Sequence, residues 1–163
     1  MVAPSDVFKD GKQIARALKK EEEITHIIDS FKEAARRAVQ AGFDGVEIHG
    51  ANGYLLQQFY SPHSNQRTDQ WGGNEEKKRL AFPIAVVDAV KEAIKEHAAK
   101  PFIFGYRLSP EEPETPGLTM TETFTLVDVL KTKSLDYLHI SLMEIGSKKQ
   151  DEAQILIKLV WNC

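Results

Sequence analysis

"VEIHGANGYLLQQFYSPHSNQRTDQWGGN", Val46 to Asn74, ends an apolar run of strand length in His49 and places Asn52 and Tyr54 just beyond it. The chain then stays polar, with Gly, Pro and several side-chain amides, as far as the Gly72-Gly73 pair. A connecting loop needs turn formers. It does not need an imidazole, a carboxamide and a phenol within six positions. The stretch therefore reads as a strand followed by a binding loop, and the fold depends on whether its neighbours repeat that arrangement.

They do. Upstream, "EEEITHIIDSFKEAARRAVQAG" sets Ile24, Ile27, Ile28, Phe31, Ala35, Ala38 and Val39 at spacings of three and four, a helical stripe stopped by Gly42. "FDGVEIHG" is the first strand. "NEEKKRLAFPIAVVDAVKEAIKEHAAK" is a second amphipathic helix carrying Leu80, Ile84, Val87, Val90 and Ile94, with Pro83 marking either its start or a kink. "PFIFGYRLSP" is the second strand. "TMTETFTLVDVLKTKS" is a third helix, with Thr119 or Thr121 as N-cap, and "LDYLHISL" is the third strand. Alternation of this kind predicts an α/β fold, a parallel sheet covered by helices. Residues 1–19 read as a polar N-terminal loop, 20–145 as the βα units, and 146–163 as a C-terminal tail with one short apolar run, "ILIKLVWNC".

Composition narrows the function classes. The chain has 163 residues, 28% charged and 42% hydrophobic, ordinary values for a globular domain. A net charge of −3 offers no footprint for nucleic acid or an anionic membrane. No apolar run is long enough to span a bilayer, and the first residues lack the apolar core of a secretion signal. The single cysteine, Cys163, excludes an internal disulfide framework and a cysteine metal cluster. A soluble, cytoplasmic protein with no metal site is expected.

In parallel βα architectures, ligands bind where strands end and the following loops begin. Here those ends carry His49, Arg107, His139 and Ser141, and the segment Gly50 to Gly73 exceeds the usual loop length. If a helix began directly after His49, His49 and Asn52 would share its face. Both could then donate to one ligand oxygen, an oxyanion-hole arrangement, with Tyr54 as a general acid. The same residues also fit a buried histidine, a turn-capping asparagine and a core tyrosine. Arg107 ends an apolar strand, where an unpaired cation is costly. It reads either as a cation facing an electron-rich ligand or as the partner of an acid in "SPEEPE". Arg67 and Asp69 read as a pair pinning the long loop, and His63 as a surface loop residue. His26, His97 and His139 show no partner pattern.

Taken together, "AGFDGVEIHGANGYLLQQFYSPHSNQRTDQWGG", "FGYRLSP" and "DYLHISL" resemble the Old Yellow Enzyme family of FMN-dependent NAD(P)H oxidoreductases, over roughly Glu22 to Ser141. That resemblance implies a (βα)₈ TIM barrel with non-covalent FMN at its C-terminal mouth and NADH or NADPH as electron donor. The acceptor would be an enone or a related electrophile such as a nitro compound. By motif, His49 and Asn52 would hold the substrate's carbonyl oxygen, Tyr54 would protonate its α-carbon, and Arg107 would face the flavin's N1/O2 edge. A whole barrel of this type needs about 250 residues. The chain is therefore expected to be a fragment holding barrel strands four to six, with a truncated or non-native tail and without the family's phosphate site. Weak or absent FMN binding by the chain alone follows, as does the alternative of a catalytically inactive remnant. Opened edges would favour a homo-oligomer or a complementing fragment. The former barrel interior, Val46, Ile48, Phe102, Phe104, Leu138 and Ile140 or their neighbours, would face solvent or a partner.

Overall fold

Asp10 and Gly11 both adopt positive φ, 50° and 73°, and this pair folds the N-terminal segment into a hairpin of the kind Asp-Gly favours. The structure, a computed structural model, describes residues 1–73 and 75–142. Strand β1 is Val2–Ala3, β2 is Val7–Lys9 and β3 is Lys12–Ala17. β3 pairs in parallel with β1 and antiparallel with β2, with a bulge between Val7 and Phe8. The expected N-terminal loop is thus a small sheet of its own. The expected tail at 146–163 lies outside the described residues.

Helix α1 (Glu21–Gln40) starts where the Glu23 carboxylate accepts the backbone N–H groups of Lys19 and Lys20, at 3.1 and 3.2 Å. It stops at Gly42, whose φ of 84° supplies the left-handed residue a helix end commonly uses. Strand β4 (Gly45–Gly50) follows, then a short helix α2 (Leu55–Tyr60) inside what the sequence presented as a continuous loop. Helix α3 (Glu76–His97) runs through Pro83, which lies inside the helix rather than at its start. Strand β5 is Ile103–Leu108 and helix α4 is Met120–Lys131. Thr119 caps α4: its hydroxyl accepts the Thr121 N–H, and Glu122 accepts the Thr119 N–H at 2.9 Å. Strand β6 (Tyr137–Ile140) completes a parallel sheet in the order β4-β5-β6.

Parallel strands send alternate residues to opposite faces. Ile48, Phe104, Tyr106 and Leu108 point to the helix-covered side, where each is at most 4% exposed. Val46, Leu138 and Ile140 pack against the same core. Helices α1 and α3 lie side by side over it, and Phe82 of α3 stacks on Phe59 of α2 with ring centroids 4.0 Å apart. Of the two alternate sets, Val46, Ile48, Phe104, Leu138 and Ile140 are therefore not the ones left bare; their neighbours are. The set turned away from the helices is Glu47, His49, Gly105, Arg107, Tyr137 and His139, apart from the half-exposed Ile103 largely polar. Among the described residues no helix is long and apolar enough to cross a membrane.

Arg67 joins the two sheets. Its side chain is only 8% exposed. It donates to the carbonyls of Pro4, at 3.0 Å, and Leu18, on either side of the hairpin, while Asp69 accepts from its Nε at 3.0 Å. Arg67→Ala is expected to cost about 1–3 kcal/mol, because it strands partly buried carbonyls without donors. Hydrogen exchange should then show residues 1–18 losing protection before the β4-β5-β6 sheet does. Equal loss in both would mean that the arginine does not fasten the hairpin.

Candidate functional site

The chain leaves β4 through a turn in which Asn52 and Gly53 take φ of 57° and 69°. Asparagine tolerates this left-handed conformation better than most residues. Two contacts hold the turn: the Asn52 N–H donates to Ser109 Oγ at 3.0 Å, and the Gly53 N–H to Gln57 Oε1 at 3.0 Å. No helix therefore begins directly after His49, and His49 and Asn52 do not share a helix face. The turn carries Asn52 instead to the residues that follow β5 and β6, Ser109 and Ser141, which brace it.

That bracing orients the Asn52 carboxamide. Asn52 Oδ1 accepts the Ser141 hydroxyl at 2.9 Å and lies 3.5 Å from the Ser109 hydroxyl. With its oxygen engaged by protein, the carboxamide keeps its NH₂ as the group open to a ligand. His49 Nδ1 accepts the Ala51 N–H at 3.3 Å. A neutral imidazole accepting at Nδ1 carries its proton on Nε2, which makes His49 a donor at that position. Tyr54, the N-cap residue of α2, meets the His49 ring edge-on with centroids 4.9 Å apart, and is 61% exposed. Neither Tyr54 nor Asn52 is part of the apolar core.

Arg107 sits opposite His49 in the β4-β5 register and opposite His139 in the β5-β6 register. Its partner is not an acid of "SPEEPE" but Glu47, whose Oε1 accepts from Arg107 Nε at 2.6 Å. Glu112 of that segment instead accepts from Gln57 at 2.8 Å, Ser61 at 2.6 Å and the Leu118 N–H at 3.1 Å. The second oxygen of Glu47 lies 3.0 Å from His139 Nδ1. Partial burial pushes the Glu47 carboxyl up. Hydrogen bonds from His139, Arg107 and Tyr137 outweigh that and leave it below its ordinary value. The Tyr137 phenol is pushed up, by partial burial and by the neighbouring Glu47 charge.

His49, Asn52, Tyr54 and Arg107 thus all lie at the C-terminal end of the three-stranded sheet. Sequence reading missed Glu47, Tyr137 and Ser109, and gave His139 no partner. The signal for Glu47 was its position two residues before His49, which puts both on one strand face. Among the described residues no group of three or more His, Cys, Asp or Glu is placed to hold a metal ion.

A lowered carboxyl pKa has a definite consequence for stability. The contribution of Glu47 is fully present above its ordinary value of 4.5 and is lost as pH falls through the lower folded value. Urea unfolding between about pH 6 and pH 3 should therefore show wild type losing more stability than Glu47→Gln. Parallel curves would show that the bridge does not hold the sheet.

Comparison with known proteins shows the family. The family model for the NADH:flavin oxidoreductase / NADH oxidase family matches residues 1–158. The likeness therefore extends beyond the Glu22 to Ser141 span carried by the sequence motifs, into the hairpin and the tail. The Bacillus subtilis (strain 168) protein named "Probable NADH-dependent flavin oxidoreductase YqiG" is 72% identical over 148 residues, covering 91% of this chain and 39% of that protein. The NADH:acrylate oxidoreductase of Vibrio harveyi is 49% identical over 140 residues, covering 86% of this chain and 14% of that protein. Among solved structures, morphinone reductase in complex with tetrahydroNAD superposes with a TM-score of 0.69 at 36% identity, covering 85% of this chain and 42% of that one. The chain thus spans well under half the length of these relatives. It belongs to the NADH:flavin oxidoreductase / NADH oxidase family, the Old Yellow Enzyme group whose cofactors are FMN and a reduced nicotinamide, and its parallel strands are part of a TIM barrel.

Proposed function

We propose that this chain supplies the acceptor-binding side and one flavin-facing edge of an FMN-dependent oxidoreductase that reduces activated C=C bonds, with enones as the substrate class. The observation that carries the reading is the pairing of two oriented donors, His49 Nε2–H and the Asn52 NH₂, with an exposed phenol, Tyr54, against the same imidazole. The names of relatives support reduction of activated C=C bonds. NADH:acrylate and NADH:fumarate oxidoreductases, 49% identical to this chain over most of its length, act on alkenes conjugated to a carboxyl group.

The donor set suits one edge of a flavin. Arg107 is held through Nε, and among the described residues its terminal nitrogens make no hydrogen bond to protein. A fixed cation of this kind favours the ring edge where negative charge grows on reduction. When bound, FMN supplies the redox chemistry, carrying a hydride from the reduced nicotinamide to the β-carbon of the acceptor. The side chains of this chain do the rest. His49 and Asn52 donate to the acceptor's carbonyl oxygen, so that negative charge developing there is stabilised as it forms. Tyr54 then donates its phenolic proton to the α-carbon, which completes addition of a hydride and a proton across the double bond.

The test is enone-dependent oxidation of NADH by the chain, with cyclohexenone as acceptor and FMN added at concentrations high enough to offset the weak binding expected without the phosphate site. The expected result is a perturbed flavin absorption band and turnover that Tyr54→Phe lowers by about 10²-fold or more. An unperturbed flavin spectrum with no enone-dependent rate would contradict the proposal. It would favour the other reading, a barrel remnant that folds or associates without flavin.

A further inference from the structure

Two rows of residues cross the open face of the β4-β5-β6 sheet. Register puts Glu47, Gly105 and Tyr137 in one row, and His49, Arg107 and His139 in the next row towards the strand ends. Glu47 links the rows. Its carboxylate bonds Arg107 Nε at 2.6 Å and His139 Nδ1 at 3.0 Å, so it reaches diagonally to the middle strand and across it to the far one.

Gly105 makes room for a third contact. A Cβ at that position would lie 2.2 Å from the Tyr137 ring. The ring therefore lies directly over the backbone of the middle strand, where its phenol interacts with the same carboxylate. One carboxylate is tied to side chains from both other strands of the sheet, and a glycine on the middle strand permits it.

The consequence falls on Arg107. A guanidinium is planar, so fixing it through Nε fixes the direction of its terminal fork. The Nη nitrogens make no hydrogen bond to a described residue and stay available to a ligand. Without Glu47, Arg107 would be a long, two-thirds buried side chain with no acid to orient it.

We propose that Glu47 is the positioning residue for Arg107: by holding the guanidinium at its Nε edge, with His139 and Tyr137 locking the carboxylate in place, it aims the Nη fork at the electron-rich edge of the bound flavin. This rests on the flavin-edge reading of Arg107 given above. It makes a prediction of sign. If Glu47 merely offset the charge of Arg107, its removal would strengthen attraction to an electron-rich ligand. If it positions the fork, its removal weakens binding.

A double-mutant cycle separates these outcomes. Wild type, Glu47→Gln, Arg107→Gln and the double variant are checked for fold by circular dichroism and titrated with FMN by fluorescence quenching. Glu47→Gln is expected to weaken FMN binding about tenfold, the scale of one charge-assisted hydrogen bond. The double variant is expected to bind no more weakly than Arg107→Gln alone. Unchanged or tighter binding by Glu47→Gln, or losses that add in the double variant, overturns the proposal. If Glu47→Gln does not fold, Glu47→Asp, which keeps the charge on an arm one methylene shorter, carries the same cycle. If wild type binds no FMN, which the missing phosphate site alone would explain, NMR of the Arg107 Nε–H decides the positioning role. Protection from solvent exchange in wild type that is lost in Glu47→Gln supports it, and equal exchange in both proteins overturns it.

Discussion

Each strand of a parallel sheet must give one set of alternate residues to the helices that cover it and the other set to the opposite side. In this chain everything else follows from how the two sets are divided. Ile48, Phe104, Tyr106 and Leu108 go to the helices. Burial of side chains of this size is worth about 1.5–3 kcal/mol each, so a one-residue slip in register would expose them all at once. That cost locks the register, and the locked register places Glu47, His49, Arg107 and His139 together on the other face. The apolar side thus determines the position of every charged group on the polar side.

The polar side has its own logic. A cation two-thirds buried needs an acid, and the acid comes from the neighbouring strand rather than from the loop next in sequence. The turn after β4 follows the same rule. Its backbone is held in a left-handed conformation by Ser109, and its carboxamide by Ser141, residues that end the other two strands of the sheet. The Asn52 carboxamide and the Arg107 guanidinium are each oriented by groups from other strands of the sheet.

Much of this was legible in the chain. The helical stripes of α1 and α3 and the three strand segments were carried by spacing, the α4 cap was narrowed to Thr119 or Thr121, and the motif around His49 carried the family. What spacing does not carry is which alternate set faces the helices. Alternation reads the same from either side, so it left open whether the apolar set or its neighbours face the barrel interior, and the apolar set lies beneath the helices. The β2-β3 hairpin was missed because its strands are short and rich in Lys and Gln, although the Asp10-Gly11 turn was in plain view. α2 escaped because six residues are too few to establish a period. Glu47 was overlooked because its partners, Arg107 and His139, are 60 and 92 residues away and become neighbours only through register.

The central claim is that ligand recognition belongs to the open polar face at the strand ends. The most direct measurement is a map of backbone amide chemical shifts as FMN is added to the isotopically labelled chain. Changes concentrated at Ala51, Asn52, Gly105, Arg107 and His139 are the expected result. Changes centred instead on the exposed surface of α3, around Ala85, Asp88 and Glu92, would contradict the account.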